Sequence, residues 1–314
     1  MYYLDFEENI REVDNKLAQP DISEAEKKRL QVKLKRLIDN AYNRLTPWQK
    51  TLVARHENRP RTSDYIRVLV TDFVPLCGDR CFGEDSAVIG GLGKFEGQTV
   101  MIIGTEKGFD TASRLKHNFG MARPEGYRKV IRLMKLAEQF GFPVLTFIDT
   151  AGAFPGVDAE ARGQGQVIAA AISASLDLRV PIIATIIGEG GSGGALALAV
   201  GNKVLMLENA IYSVISPEGC ASILWKDFKF AKQASRTLKM TAKDLMNLGV
   251  IDEIIPEPLG GAHRFPKETI QAVGKTIKKA LSEFKTMDGD AFVLHRQEKF
   301  LAMGCLKQKK KVAK

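Results

Sequence analysis

The sequence predicts an α/β protein on three observations. Its candidate strands are apolar throughout instead of alternating with polar residues, which indicates burial on both faces of a sheet. Segments with helical spacing of apolar residues lie between these strands, so helices are expected to cover the sheet. The composition agrees, because 45% hydrophobic and 26% charged residues among 314 are typical of a globular chain.

The chain is predicted to begin with helices. Up to about residue 58, apolar residues recur at helical spacing, as at Ile10 and Leu17. Ser23 stands three residues before Glu26 in the capping-box pattern, and Thr46 followed by proline marks the start of a third helix. We therefore expect a helical region over residues 1–60.

Beyond residue 60, short apolar runs alternate with helical patterns. The predicted strands cover residues 87–89, 100–103, 144–148, 182–187, 204–207 and 211–215. Predicted helices include residues 127–137 and 167–178, and a helical pattern returns over 270–281. The expected division is a helical region (1–60), a central α/β domain (61–258), and C-terminal helices with a lysine-rich tail (259–314).

The positive charge of the chain is concentrated at its end. The net charge is +9, but five of the last eight residues, 307–314, are lysines, so the basic balance is weak evidence for nucleic-acid binding. The first ten residues contain acids where a secretory signal has bases. The longest apolar stretches, 180–187 and 195–200, are shorter than the roughly 20 residues that span a bilayer. We expect a cytoplasmic protein without a membrane segment.

The cysteines predict neither disulfides nor a metal site. Cys77, Cys81, Cys220 and Cys305 are too few and too irregularly spaced for a disulfide framework. Cys77 and Cys81 lack the second pair that a zinc ribbon requires. All four are expected to be reduced thiols, and no metal is predicted in this chain.

Residues 188–195, with the sequence GEGGSGGA, follow an apolar strand and precede a helical run, and three interpretations fit them. The first is a dinucleotide-binding turn, since Gly188, Gly190 and Gly193 have the required spacing. Glu208 then stands where the acid that binds the ribose is expected. Against it, at least three predicted strands precede a unit that normally opens its fold.

The second interpretation is the nucleophile elbow of a serine hydrolase. Ser192 is flanked by Gly190 and Gly194 in the required pattern, and Asp252 and His263 follow in the order of a catalytic triad. This hypothesis needs a base within reach of Ser192, and nothing in the sequence places His263 there.

The third interpretation uses the backbone. Paired glycines that open a helix let two N–H groups converge on one oxygen, unshielded by Cβ atoms and supported by the helix dipole. Such a pair forms an oxyanion hole. Residues 149–156, DTAGAFPG, form a second glycine turn at the end of the preceding long strand. Two such turns at successive strand ends favour a site over two unrelated tight turns.

Seven blocks of sequence, in order, resemble one family. They are RLTPW from Arg44 with ARH from Ala54, NFGM from Asn118 with PEGYRK from Pro124, FIDT from Phe147, TIIGEGGSGGA from Thr185, YSVISPEGC from Tyr212, ILWK from Ile223 and EPLGGAHR from Glu257. With the segments between them, they resemble the carboxyltransferase alpha subunits of bacterial acetyl-coenzyme A carboxylase over residues 4–301.

The resemblance implies a fold and a reaction. The fold is crotonase-like, a superhelix of ββα units with N-terminal and C-terminal helical extensions. The reaction transfers the carboxyl group of carboxybiotin to acetyl-CoA and gives malonyl-CoA, the first committed step of fatty acid synthesis. The biotin is covalently attached to a separate biotin carboxyl carrier protein. ATP is used by a biotin carboxylase component and not by this chain.

The resemblance also implies partners and site residues. A zinc-ribbon beta subunit completes an α2β2 assembly and chiefly binds CoA, and each subunit supplies one oxyanion hole. Gly193 and Gly194 are expected to form the biotin oxyanion hole. The other expected substrate-binding residues are Gly190, Gly191, Ser192, Asp149, Thr150, Ala151 and Gly152. Of these, Gly190 and Gly191 are expected to form the turn, Ser192 is expected to be a small spacer, and the rest to form the site wall.

One basic cluster has several possible roles. It comprises Lys107, Arg114, Lys116, His117, Arg123, Arg128 and Lys129. The cluster could contact CoA phosphates, the beta subunit or nucleic acid, or it could be a solvated helical face.

Overall fold

A computed structural model describes residues 2–304, so Cys305 and the lysine-rich tail lie outside the described residues. The strands are β1 (Val70–Pro75), β2 (Val88–Phe95), β3 (Gln98–Thr105), β4 (Val144–Thr150), β5 (Ile182–Gly191), β6 (Lys203–Leu207), β7 (Ile211–Ser213) and β8 (Glu253–Ile255). The helices are α1 (Glu8–Leu17), α2 (Glu24–Tyr42), α3 (Pro47–Ala54), α4 (Thr62–Leu69), α5 (Thr111–Lys116), α6 (Pro124–Phe140), α7 (Val157–Ala161), α8 (Gln164–Asp177), α9 (Ser192–Ala199), α10 (Pro217–Trp225), α11 (Ala231–Thr237), α12 (Ala242–Asn247), α13 (Pro266–Glu283) and α14 (Gly289–Ala302).

The eight strands form one mixed sheet in the order β1-β2-β3-β4-β5-β6-β8, with β7 paired to the end of β5. The strands β1, β2 and β3 run antiparallel, and the pairs from β3 to β8 are parallel. Every residue of β4 and β5 is buried, as expected for central parallel strands covered on both faces. Helix α6 packs on β2 and β3, α9 on β4 and β5, and α13 on β5 and β8. The predicted α/β class is confirmed.

The sheet is larger than the sequence predicts. All six predicted strands are present, but β2 runs to Phe95 instead of ending at residue 89, and β1 and β8 were not predicted. The extra length of β2 is rich in glycine. A Cβ at Gly90 would lie 2.2 Å from Leu133 Cδ1 of α6, and one at Gly91 would lie 2.2 Å from the carbonyl oxygen of Val74. These glycines are packing positions, although their composition resembles that of a loop.

The N-terminal helices have a small core of their own. Ile10, Ile38 and Val53 are buried together there, apart from the main core that surrounds the sheet. The Oγ atoms of Ser23 and Thr46 accept the N–H groups three residues on, so both predicted caps are confirmed. The division at residues 60 and 258 stays a prediction. Within residues 2–304, no helix combines the length and the apolar character that a membrane span requires.

Candidate active site

The strand β5 passes directly into α9 through a sharp turn at Ser192. This residue has φ +52°, in the left-handed region, and its side chain is exposed. Gly190 and Gly191 are the buried last residues of β5, so the prediction that they form the turn is wrong. Gly191 is the N-cap of α9 and has no side chain that could accept hydrogen bonds from the free N–H groups of the helix. The first N–H groups of α9 are therefore left without a side-chain cap.

The two glycine turns predicted from the sequence meet in the structure. A Cβ at Gly191 would lie 2.1 Å from the carbonyl oxygen of Ala151, and one at Gly194 would lie 2.6 Å from the backbone N of Ala153. These approaches are possible only for glycine, because backbone atoms face each position. Thr150 closes its own turn, since its Oγ1 accepts the Gly152 N–H at 3.1 Å. The contact holds the end of β4 against the start of α9.

A mainly apolar cavity of about 310 Å³ opens at the start of α9. Its lining residues are Ser192, Gly193, Leu196, Tyr212, Ser213, Val214, Leu238, Lys239, Leu245, Leu248 and Val250. Among the described residues, no carboxylate and no histidine lines this cavity. Of the predicted site residues, Ser192 and Gly193 line it, whereas Gly194 is buried directly behind them. The cavity is therefore lined by the first residues of α9 and by apolar side chains, and not by a carboxylate or an imidazole of the described residues.

A partly buried ionic network supports both turns. Asp149 accepts hydrogen bonds from Lys107 Nζ at 2.7 Å and from the Glu189 N–H at 2.9 Å. Arg55 bonds Glu189 at 2.6 Å and Glu218 of α10 at 2.7 Å. Burial alone lowers the pKa of Arg55, but the bonds to Glu189 and Glu218 outweigh it and raise that pKa. Apart from Asp149, sequence reasoning missed these roles, because the partners are far apart in the chain and share no motif.

The hydrolase hypothesis is not supported. His263 lies with Tyr42 and the N-terminal residues, with its Nε2 3.3 Å from the Tyr42 hydroxyl. Asp252 accepts the N–H of Val204 and pairs with Lys299. Neither residue lines the cavity beside Ser192, so within residues 2–304 the lining offers no histidine or carboxylate as a base, and a nucleophilic role of the Ser192 hydroxyl is not supported.

The dinucleotide hypothesis also fails on geometry. Gly188 and Gly190 lie inside β5, whereas the fingerprint requires them in the turn after the strand. A Cβ at Gly188 would lie 2.5 Å from Asp149 Oδ1, so this glycine makes room for a carboxylate and not for a pyrophosphate. Glu208 accepts the Glu257 N–H and is not at a nucleotide pocket.

The basic cluster is not one solvated face. Lys129 is buried and donates to Glu84 and to the carbonyl oxygen of Val88. Arg128 pairs with Asp79, and Lys107 belongs to the ionic network described above. The interpretation of the cluster as a solvated helical face is therefore wrong for Lys107, Arg128 and Lys129.

One group of three described residues brings possible metal ligands together: Glu7, His56 and His263. The rings of His56 and His263 stack with centroids 3.9 Å apart and planes 20° apart. Ring lone pairs lie in the ring planes, so stacked rings do not converge on one ion. His56 Nδ1 accepts the Asn58 N–H, and its Nε2 lies 3.1 Å from the Tyr2 carbonyl oxygen, which leaves no lone pair for a metal. The cluster joins the N-terminal helices to the loop that holds His263.

Burial and hydrogen bonding shift two pKa values in this cluster. Burial lowers the pKa of His56 to about 4, and the neighbouring His263 contributes in the same direction. Burial raises the pKa of Glu7, but the neighbouring His263, with its Nε2 3.8 Å away, and hydrogen bonds from the Leu4 N–H and the Tyr42 hydroxyl outweigh it and lower the value to about 2. Cys77, Cys81 and Cys220 are free thiols.

Comparison with known proteins gives a consistent result. A family model described as acetyl co-enzyme A carboxylase carboxyltransferase-like matches residues 3–304. Two relatives are named acetyl-coenzyme A carboxylase carboxyl transferase subunit alpha. The one from Paramagnetospirillum magneticum is 55% identical over 312 residues, or 97% of this chain and 98% of the relative. The one from Gluconacetobacter diazotrophicus is 57% identical over 310 residues, or 96% and 98%.

Solved structures show the same fold. A transcarboxylase 12S chain, with methylmalonyl-coenzyme A bound, has a TM-score of 0.59 and 18% identity over 73% of this chain, which spans only 42% of that chain. A Pseudomonas malonate decarboxylase hetero-tetramer in complex with coenzyme A has a TM-score of 0.55 and 15% identity over 68% of this chain and 86% of that chain. The predicted crotonase-like fold is confirmed.

Proposed function

Because the chain belongs to the acetyl-coenzyme A carboxylase carboxyltransferase family, as an alpha subunit, we propose how its residues serve carboxyl transfer to acetyl-CoA. It contributes the biotin half of a shared active site. The carboxyl group passes from carboxybiotin to acetyl-CoA and gives malonyl-CoA, which commits carbon to fatty acid synthesis.

The uncapped start of α9 is the observation that supports this assignment. The N–H groups of Gly193 and Gly194 lie in the first helical turn, beside the cavity and next to the strained residue Ser192. Preorganised donors of this kind stabilise an oxygen on which negative charge develops, and one such donor contributes about 3 to 4 kcal/mol. We assign these two N–H groups as the biotin oxyanion hole.

The cavity suits a biotin ring. Leu196, Leu238 and Leu245 provide apolar walls, and the charged lining residue is Lys239. Carboxybiotin supplies the carboxyl group, and its ureido oxygen gains negative charge as that group leaves. The chain's contribution is to donate two backbone hydrogen bonds to this oxygen and to exclude water from its apolar surroundings. The absence of carboxylates and histidines from the described lining fits a reaction that needs no side-chain acid or base here.

The remaining predicted residues act by position. Gly191 permits the close contact between β5 and the turn at Ala151, and Thr150 and Gly152 shape that turn. Asp149 fixes both strand ends through Lys107 and the Glu189 N–H. These residues form the wall and support of the site. Ser192 also acts by position, because it makes the turn and donates no proton.

An exposed apolar surface next to the cavity is an argument for a partner subunit. Val214 lines the cavity and is 77% exposed, and Ile223, Leu224 and Phe228 continue the apolar surface along α10 and the segment after it. Apolar patches of this kind mark protein interfaces. The partner is a zinc-ribbon beta subunit that chiefly binds acetyl-CoA, in an α2β2 assembly.

The other components of the proposed reaction are separate from this chain. The biotin is covalently attached to a biotin carboxyl carrier protein, and a biotin carboxylase consumes ATP to load it. This chain needs no metal of its own, acts in the cytoplasm, and has no role in nucleic-acid or membrane binding.

Reconstitution tests the shared site. The isolated chain is expected to show no carboxyl exchange between malonyl-CoA and biocytin, and addition of the beta subunit is expected to restore it. Exchange by the isolated chain would contradict the shared site. Absence of exchange in a stable complex of both subunits would contradict the proposed function itself.

A further inference from the structure

A second cavity lies on the other side of the turn at Ala151, apart from the one beside Gly193. It encloses about 250 Å³ at the carboxyl ends of β3, β4 and β5, the edge where ligands bind in parallel sheets. Five basic side chains line it: Arg55, Arg59, Arg61, Lys107 and Arg114. Its volume is smaller than that of most whole-ligand pockets, so it suits one end of a ligand or a small anion.

Three of these basic groups are already neutralised. Lys107 pairs with Asp149 and Arg55 with Glu189, both across the cavity wall. Arg59 is fully buried in a two-point ion pair with Glu257. The two remaining arginines, Arg61 and Arg114, form no ion pair within residues 2–304.

Arg61 is the unusual member, because it is only 7% exposed and yet forms no ion pair with a described carboxylate. Its guanidinium donates to the carbonyl oxygen of Glu57 and stacks over the Phe109 ring, 4.6 Å from the centroid, which fixes the plane of its fork. Arg61 and Arg114 line the same cavity; burial lowers the pKa of Arg61, and the positive charge of Arg114 contributes in the same direction.

The neighbouring acid Glu106 forms no ion pair with Arg61. Glu106 is buried, but its two oxygens accept the N–H groups of Ser63 and Gly108, each at 3.0 Å. Glu106 raises the pKa of Arg61 from a distance without an ion pair. A buried arginine without a carboxylate partner is costly unless an anion accepts its remaining N–H groups.

We infer that Arg61 and Arg114 bind the phosphate group of an anionic ligand in this cavity. Two guanidinium forks offer more donors than one carboxylate can accept, and they match a doubly charged group with three terminal oxygens. Phe119 lines the same cavity and is 46% exposed, so a ring attached to the phosphate has an aromatic surface to contact. The phosphate either belongs to a nucleotide or is free, and the experiment distinguishes these sources.

The test measures binding by calorimetry at low ionic strength, with the full chain alone and in complex with its beta subunit. The probes are inorganic phosphate and adenosine 3′,5′-bisphosphate. Arg114→Gln is expected to weaken binding at least about tenfold, because it removes charge-assisted hydrogen bonds. Lys116→Gln is the matched control, since it removes an exposed positive charge from the same helix and should leave affinity unchanged.

Arg61→Lys is the second variant. It keeps the charge but loses the planar fork, so it should weaken binding even where folding, followed by thermal melting, is unchanged. Binding of both probes indicates a site for free phosphate, and binding of the bisphosphate alone indicates a nucleotide site. Absence of saturable binding, or equal losses in the Arg114 and Lys116 variants, would overturn the inference. These binding measurements do not depend on carboxyl exchange, so their failure is distinguishable from failure of the proposed function, which the exchange assay tests.

Discussion

Replacement of Gly193 by valine tests the proposed oxyanion hole. The position lines the cavity, and a Cβ built there has one close neighbour, Ile168 Cγ2 at 3.3 Å. That atom is the end of a flexible side chain, so the fold can accept the new residue. A branched side chain beside the N–H group should shield it from the ureido oxygen.

The expected loss follows from one missing donor. At about 3 to 4 kcal/mol per oxyanion donor, turnover should fall by roughly 10²–10³-fold. The assay is carboxyl exchange between malonyl-CoA and biocytin by the reconstituted complex, with complex formation followed by size-exclusion chromatography. The complex should form normally.

Other glycines of the site cannot serve for this test. A Cβ at Gly191 or Gly194 would enter backbone atoms at 2.1 Å and 2.6 Å, so those variants should lose the fold together with activity. Gly165→Val is the matched control, because a Cβ at that position on α8 meets nothing within 4 Å. Exchange by Gly193→Val within about threefold of the parent complex, with the assembly intact, would refute the assignment of this donor.

Three further predictions follow from the same structure. Ser192→Gly removes the hydroxyl and suits φ +52°, so exchange should stay within about threefold of the parent; a loss beyond about a hundredfold would show that the hydroxyl takes part in the reaction. Arg55→Gln leaves the buried carboxylate of Glu189 with only the longer pair to Lys107 at 3.7 Å among the described residues, and should lower kcat and thermal stability, whereas Arg55→Lys should restore part of both; unchanged kcat in the Gln variant would exclude a positioning role. Stability should fall as pH decreases from about 6.5 to 4, because the unfolded chain protonates His56 at its ordinary pKa of 6.5 whereas the folded chain resists until about 4, a difference on the order of 3 kcal/mol. In urea unfolding measured across this range, a His56→Gln variant should lose that part of the pH dependence, and an unchanged profile would contradict it.

Apolar patterning located the central strands because they are buried on both faces. The strands β4 and β5 contain continuous apolar runs, and the sequence placed the start of both correctly but ended β4 two residues and β5 four residues too early. The glycines of β2 made most of this strand unrecognisable from the sequence. Gly90 and Gly91 pack against α6 and β1, and only the folded structure shows these contacts. The edge strand β1 is mostly exposed and has little apolar signal.

The sequence also predicted part of the candidate site. Glycine spacing identified both turns, because glycine is required where backbones approach closely, and the turns do meet. The spacing did not show which residue makes the bend, and the bend is at Ser192. The ionic network of Asp149, Glu189 and Arg55 joins distant parts of the chain, and its members have no local pattern that marks them as partners.

The most direct test is the structure of the complex of this chain and its beta subunit, determined with biocytin bound. The proposed assignment predicts the ureido oxygen at about 3 Å from the backbone nitrogens of Gly193 and Gly194, with the ring against Leu196 and Leu238. A ureido oxygen bound by other donors, or a biotin ring held outside this cavity, would contradict it.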